Sequence, residues 1–140
     1  MPSIPELFAT MEWGPAPETA GQAEAWLDRH GRKFGHWIGG GWVEPSGEEW
    51  FETINPANRQ TLARVAQGSA ADVDRAVRSA REAQRAWWGL GGHGRARHLY
   101  AIARQIQRQS RLFAVVESLD NGKPIRESRD IDIPLVARHF

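Results

Sequence analysis

From Phe34 onward the apolar residues of this chain change their spacing once, between Val65 and Ser69, and that change limits what it can fold into. Before it, the period is two. Phe34, His36 and Ile38 alternate with Gly35 and Trp37, and Gly39, Gly40 and Gly41 precede Trp42 and Val43. This reads as a β-hairpin with a glycine turn, where positive φ angles are needed. A second strand pair, Trp50 to Ile54 and Thr61 to Val65, flanks Asn55-Pro56-Ala57-Asn58, where proline removes a backbone donor and drives Asn55 out of helical geometry. After the change, the period is helical. Ser69 with Asp72 three residues on starts a capping-box helix carrying Val73, Ala76, Val77, Ala80, Ala83 and Trp87. Leu99, Ile102, Ala103 and Ile106 mark a second helix beyond a glycine-rich break. Ser110 is placed to cap a third, with Leu112, Val115, Val116 and Leu119, which Gly122 and Pro124 end. A last helical stretch runs toward Phe140 and should bend or restart near Pro134, whose ring would strike the carbonyl of Asp130.

Residues 1–33 read as an extension that packs on something. It holds Pro2, Pro5, Pro15 and Pro17, then a helix from Thr19 to His30 with an apolar stripe of Ala23, Trp26 and Leu27 and a stop at Gly31. Residues 34–140 form the main body. With 41% hydrophobic and 25% charged residues the chain has the balance of a soluble globular protein. A formal net charge of +1 supplies no long-range field for polyanions, so nucleic acid and membrane are not expected partners. There is no cysteine, which removes disulfides, thiolate metal sites and thiol nucleophiles from these residues. The N-terminus has neither a basic, apolar leader nor an acid-poor presequence, and no window holds the roughly 18 apolar residues of a membrane span. The expected address is cytoplasmic.

Several constellations invite functional readings. Gly89-Leu90-Gly91-Gly92-His93-Gly94 meets the G-x-G-x-x-G spacing, but a tryptophan-ending helix leads in where a dinucleotide fingerprint needs a strand, so an interhelix loop is preferred to a phosphate cradle. Arg95, Arg97, Arg104, Arg108 and Arg111 form an acid-free run that reads as a solvated helix face before it reads as a nucleic-acid surface. The seven tryptophans are expected as core and interface anchors. Asp120 falls at the end of the third helix, where the dipole disfavours an anion by roughly 0.3–1 kcal/mol. Lys123, plain solvation or a cation held by oxygen atoms would relieve it, and the charge pattern favours the first two.

Four segments in register resemble the N-terminal region of the aldehyde dehydrogenase superfamily: Ile38-Gly39-Gly40-Gly41-Trp42-Val43, Thr53-Ile54-Asn55-Pro56-Ala57, Ala71-Asp72-Val73-Asp74-Arg75-Ala76-Val77 and Glu117-Ser118-Leu119-Asp120-Asn121-Gly122-Lys123-Pro124. The opening Leu7 to Pro15 is similar to the start of the sixteenth aldehyde dehydrogenase family. The resemblance implies an α/β fold, these hairpins and helices being the N-terminal part of a cofactor-binding, Rossmann-type domain that breaks off in a helix before the parallel sheet. It implies an oxidoreductase that converts aldehydes to carboxylic acids with NAD or NADP through a cysteine thiohemiacetal. The nucleophile, the water-activating glutamate and the oxyanion donors would all lie downstream, so the 140 residues alone are expected to be inactive, with no catalytic or cofactor-binding residue of their own. The resemblance also implies a structural monovalent or divalent cation, held by the carbonyls of Thr53 and Ile54 and the carboxylate of Asp120, with a further carbonyl from beyond Phe140. Implied partners are the remainder of the dehydrogenase chain, a small aldehyde and further copies in a homo-oligomer. The competing reading is a non-catalytic interaction module or pseudoenzyme fragment of the same fold.

Overall fold

The computed structural model describes residues 3–6 and 18–140, so the Leu7 to Pro15 segment lies outside the described residues. The helix labelled α1 (Gly21–Arg29) buries Ala23 and Leu27, the apolar positions that its 3.6-residue period places on one face. Gly31 follows with φ +62°, and Arg32, also at positive φ, turns its guanidinium to Asp28 at 2.6 Å and to the Leu62 carbonyl at 3.1 Å. These bonds feed the chain into β1 (Lys33–Phe34), which pairs parallel with β5 (Thr61–Ala66), Phe34 opposite Val65.

Phe34 therefore does not belong to the glycine-turn hairpin, as its alternation with His36 and Ile38 had implied. The break is Gly35, where a Cβ would stand 2.5 Å from the Val43 carbonyl oxygen. The hairpin proper is β2 (His36–Ile38) against β3 (Gly41–Val43), with Gly39 and Gly40 both at positive φ in the turn. Trp37 and Trp42 face each other across it edge to face, both well exposed. They are not core residues, and neither is Trp88. The second pair, β4 (Trp50–Ile54) with β5, is antiparallel and completes a three-stranded sheet of order β1-β5-β4.

The helices are α2 (Ala70–Gly89), α3 (Gly91–Arg108), α4 (Ser110–Asn121) and two short pieces, α5 (Ile125–Glu127) and α6 (Ile133–Arg138), separated by a π-type turn over Ser128–Asp132. The π turn contains Asp130, so the helix widens at the residue whose carbonyl the Pro134 ring would otherwise strike. The glycine run is not an interhelix loop. Only Leu90 separates α2 from α3; Gly91, at φ +66°, makes the break, and Gly92 to Gly94 form the first turn of α3. Arg95 folds back over the Trp88 ring and donates to the Trp88 carbonyl at 3.2 Å. Ser110 does not cap α4: it is the first helical residue, and Gln109 before it makes no side-chain cap. α3 packs on α6, and α4 packs on α1 and on the π turn. Leu27, Leu62 and Ala63 form a small core with Trp26, Phe34 and Leu119 packed around it.

Asp72 joins the two halves. Its side chain is 3% exposed and accepts hydrogen bonds from the Ser69 amide at 3.0 Å and hydroxyl at 2.8 Å, while the Ser69 hydroxyl accepts from the Asp72 amide. The same carboxylate takes the Ser46 amide at 3.1 Å and hydroxyl at 2.6 Å, and His36 Nε2 lies 3.7 Å away. The Ser46 and Ser69 donors hold the carboxyl well below its ordinary value, because each stabilises the ionised form. A carboxylate depressed by folding contributes stability at pH values above its unfolded value and loses it as pH falls through the lower, folded one. Asp72→Ala should thus lower Tm by on the order of 5 °C at neutral pH. In thermal scans, the gap to wild type should begin to narrow as pH falls below about 4 and should close only at strongly acid pH.

Candidate cation site at the corner between hairpin and helix

The corner is built from the β4–β5 turn and the C-terminal end of α4. At the end of β4 the ladder slips: Thr53 pairs with Ala63 but Ile54 pairs with Thr61, leaving Leu62 as an extra residue on β5. The turn beyond is held by Asn55, which is buried. Its side-chain oxygen accepts the Ala57 amide at 2.9 Å, its own amide donates to the Gln60 carbonyl at 2.9 Å, and its carbonyl accepts from Arg59 at 2.8 Å. This Asx turn is the local reason for Asn-Pro at this point.

On the helix side, Gly122 ends α4 in the left-handed region, φ +76°, and its amide returns to the Ser118 carbonyl at 3.0 Å. The Gly122 backbone also lies against Pro56. A Cβ there would sit 2.8 Å from Pro56 Cγ, so glycine is required both by the angle and by the contact.

Across this corner Thr53 meets Asp120. The Thr53 hydroxyl donates to Asp120 Oδ1 in a short hydrogen bond, and Ile54 stands beside it in the strand. Lys123 is not the partner of Asp120. Its ammonium pairs with Asp132, the first cause of a raised Lys123 pKa, and its amide donates to the side chain of Asn121. The chain path explains the difference: Gly122 reverses direction and carries Lys123 toward the π turn.

Two further groups belong to the neighbourhood. Glu117, one helical turn before Asp120, has its Oε2 shielded from solvent and without a hydrogen-bond donor among the described residues. The i, i+3 spacing from Asp120 was a usable signal for it. Glu18 had none: its nearly buried carboxylate pairs with Arg129 at 2.9 Å and lies 3.9 Å from Arg111, and the Arg129 hydrogen bond lowers its pKa. Asp120 and the Thr53 hydroxyl are oxygen groups, the ligand type that hard cations take.

Gly122→Ala should cost about 1–3 kcal/mol in chemical denaturation, from the left-handed backbone and the Pro56 contact together. A substitution with no measurable effect would show that turn and helix are not held against each other.

The aldehyde dehydrogenase family profile matches residues 42–140. Acetaldehyde dehydrogenase 2 of Cupriavidus necator is 40% identical over 109 residues, which are 78% of this chain and 22% of that protein. Among solved structures, HpcC from Thermus thermophilus superimposes with a TM-score of 0.77 at 30% identity, over 88% of this chain and 25% of its own. A mutant of aldehyde dehydrogenase C from Pseudomonas syringae, in complex with NAD+ and octanal, gives 0.72 at 37% identity, over 76% of this chain and 22% of its own. The chain thus spans about a fifth to a quarter of the length of these relatives.

Proposed function

The chain belongs to the aldehyde dehydrogenase family, and from that premise we propose that it builds one flank of the cofactor-binding domain of an enzyme that oxidises aldehydes to carboxylic acids with NAD or NADP. The observation that carries this reading is agreement along the chain: the family profile matches residues 42–140, and relatives with the same arrangement of hairpins and helices superimpose over most of it. The relative bound to NAD+ and octanal supports a nicotinamide cofactor and an aldehyde substrate.

The chemistry assigns these 140 residues a supporting part. Aldehyde oxidation of this kind needs a thiolate to add to the carbonyl carbon, a nicotinamide to accept the hydride and an activated water to release the acid. With no cysteine the chain supplies no thiolate, and the G-x-G-x-x-G run lies in a helix start fed by another helix, without the strand that would aim its amides at a pyrophosphate. What the chain does supply is framework. The apolar face of α2, with Val73 and Val77 mostly exposed, and that of α3, with Leu99 and Ile102, are surfaces suited to the remaining four-fifths of a family member's length. The remainder of such a chain is the proposed partner, with the complete enzyme a homo-oligomer in the cytoplasm. Among the described residues no helix is long and apolar enough to cross a membrane. The Leu7 to Pro15 segment carries the finer proposal of the sixteenth family.

The purified 140-residue chain should give no aldehyde-dependent formation of NADH, measured by cofactor fluorescence with a short-chain aldehyde. Measurable turnover would overturn the assignment of a purely supporting role.

The corner of Thr53, Ile54 and Asp120 fits a structural cation. Its donors are all oxygen, one carries a negative charge, and the charge sits at a helix C-terminus where a cation is favoured. Thr53 and Ile54 would offer their carbonyls and Asp120 its carboxylate, tying β4 to α4. Such an ion supplies no step of the reaction; it fixes the corner on which the domain is built. In a chain carrying the rest of the family fold, saturating sodium or magnesium should raise Tm by roughly 3–6 °C. Asp120→Ala should abolish that rise, and an equal rise in the variant would place the ion elsewhere.

A further inference from the structure

The carboxylate that joins the two halves has one neighbour it does not use. His36, the first residue of β2, has its Nε2 shielded from solvent, without a hydrogen-bond partner among the described residues, and 3.7 Å from Asp72 Oδ2. That separation is too long for a hydrogen bond and short enough for two charges to attract. The other ring nitrogen, Nδ1, is neither bonded nor enclosed, so a proton can reach the imidazole from water on that side. The ring also has room to turn. Gly68 carries no side chain beside it, and a Cβ there would stand 3.5 Å from His36 Cε1.

The Ser46 and Ser69 donors keep Asp72 ionised far into acid, yet none of these partners brings a positive charge. His36 is placed to supply it. Among the described residues Asp72 is the sole acid within 4 Å of its ring nitrogens. Across the ladder His36 meets Val43, and the connection into α2 presents Gly68 and Ser69, none of which titrates. Lys33 in β1 and Glu44 just beyond β3 are paired with each other at 3.0 Å.

We propose that His36 is a pH-operated latch: with its second proton the imidazolium closes on Asp72 and holds the β2–β3 hairpin to the first turn of α2, and without it the hairpin loosens. Closing to the length of a charge-assisted hydrogen bond takes a ring movement of about 1 Å. The carboxylate favours the protonated ring, so the hold is present on the acid side and is lost as pH rises through the histidine range, about 5 to 8. Ser46 and Ser69 keep their bonds in both states, so α2 stays capped and only the hairpin responds. His36 lies outside the residues that match the family profile, and the latch does not rest on the dehydrogenase reading.

The test is hydrogen–deuterium exchange mass spectrometry of the natural full-length protein at about pH 5.5 and about pH 8, corrected for the intrinsic effect of pH on amide exchange. Peptides spanning residues 36–43 should be at least about threefold more protected at the lower pH, whereas those from β4 and α4 should show no such difference. His36→Gln, which keeps an N–H donor but gains no charge, should remove the difference, and so should Asp72→Asn. Equal protection of the unmodified hairpin at both pH values, a difference that survives His36→Gln, or one shared equally by β4 and α4 would each overturn the proposal. His36→Gln leaves the cap of α2 untouched, so the comparison stands even where Asp72→Asn fails to fold.

Discussion

The rest of the structure depends on one carboxylate. Asp72 closes the first turn of α2 and, with its remaining acceptor capacity, holds the backbone and hydroxyl of Ser46 in the connection between the two hairpins. A capping residue ordinarily satisfies its own helix only. Here the cap is also the joint between a strand-rich half and a helix-rich half, and its burial makes the joint specific, since no water can replace the serine donors. His36 stands next to the same carboxylate, so the β2–β3 hairpin also reports to this point.

Around that joint the core is small. The buried residues are mostly alanine and leucine, and many large apolar side chains, from Val73 on α2 to Phe140, keep substantial exposure. Polar anchors compensate. Glu18 ties the start of α1 to Arg129 in the π turn, Lys123 ties the end of α4 to Asp132, and Thr53 ties β4 to Asp120. The exposed apolar side chains on the helices stand beside corners held by polar contacts.

Much of the fold was legible from residue order because its determinants are local. The Ser69 to Asp72 box, the Gly39-Gly40 turn, the Asn55-Pro56 turn and the Gly122 stop each involve groups within a few residues of one another. The bend before Pro134 follows from a ring meeting a carbonyl four residues back. Local rules failed where two local outcomes compete. A single positive-φ glycine at Gly91 is enough to separate α2 from α3, so the other glycines could continue as helix. Phe34 obeyed the alternation of the hairpin but was claimed by β5.

The amino-acid order thus determined the elements, their caps, the lack of any thiol and the family. Resemblance grouped Thr53, Ile54 and Asp120 as an expected cation set, whereas the charge pattern pointed Asp120 to Lys123 or to solvent; the structure joins Asp120 to Thr53. Tertiary structure alone decided the pairings: Asp120 with Thr53 across 67 residues, Arg129 with Glu18 across 111, and Glu117 facing an apolar cavity walled partly by α1. The physical reason is range. Backbone angles, caps and turns are set by neighbours within one or two turns of chain, whereas an ion pair or a cavity wall depends on where distant segments come to rest, and nothing in the spacing of residues records that.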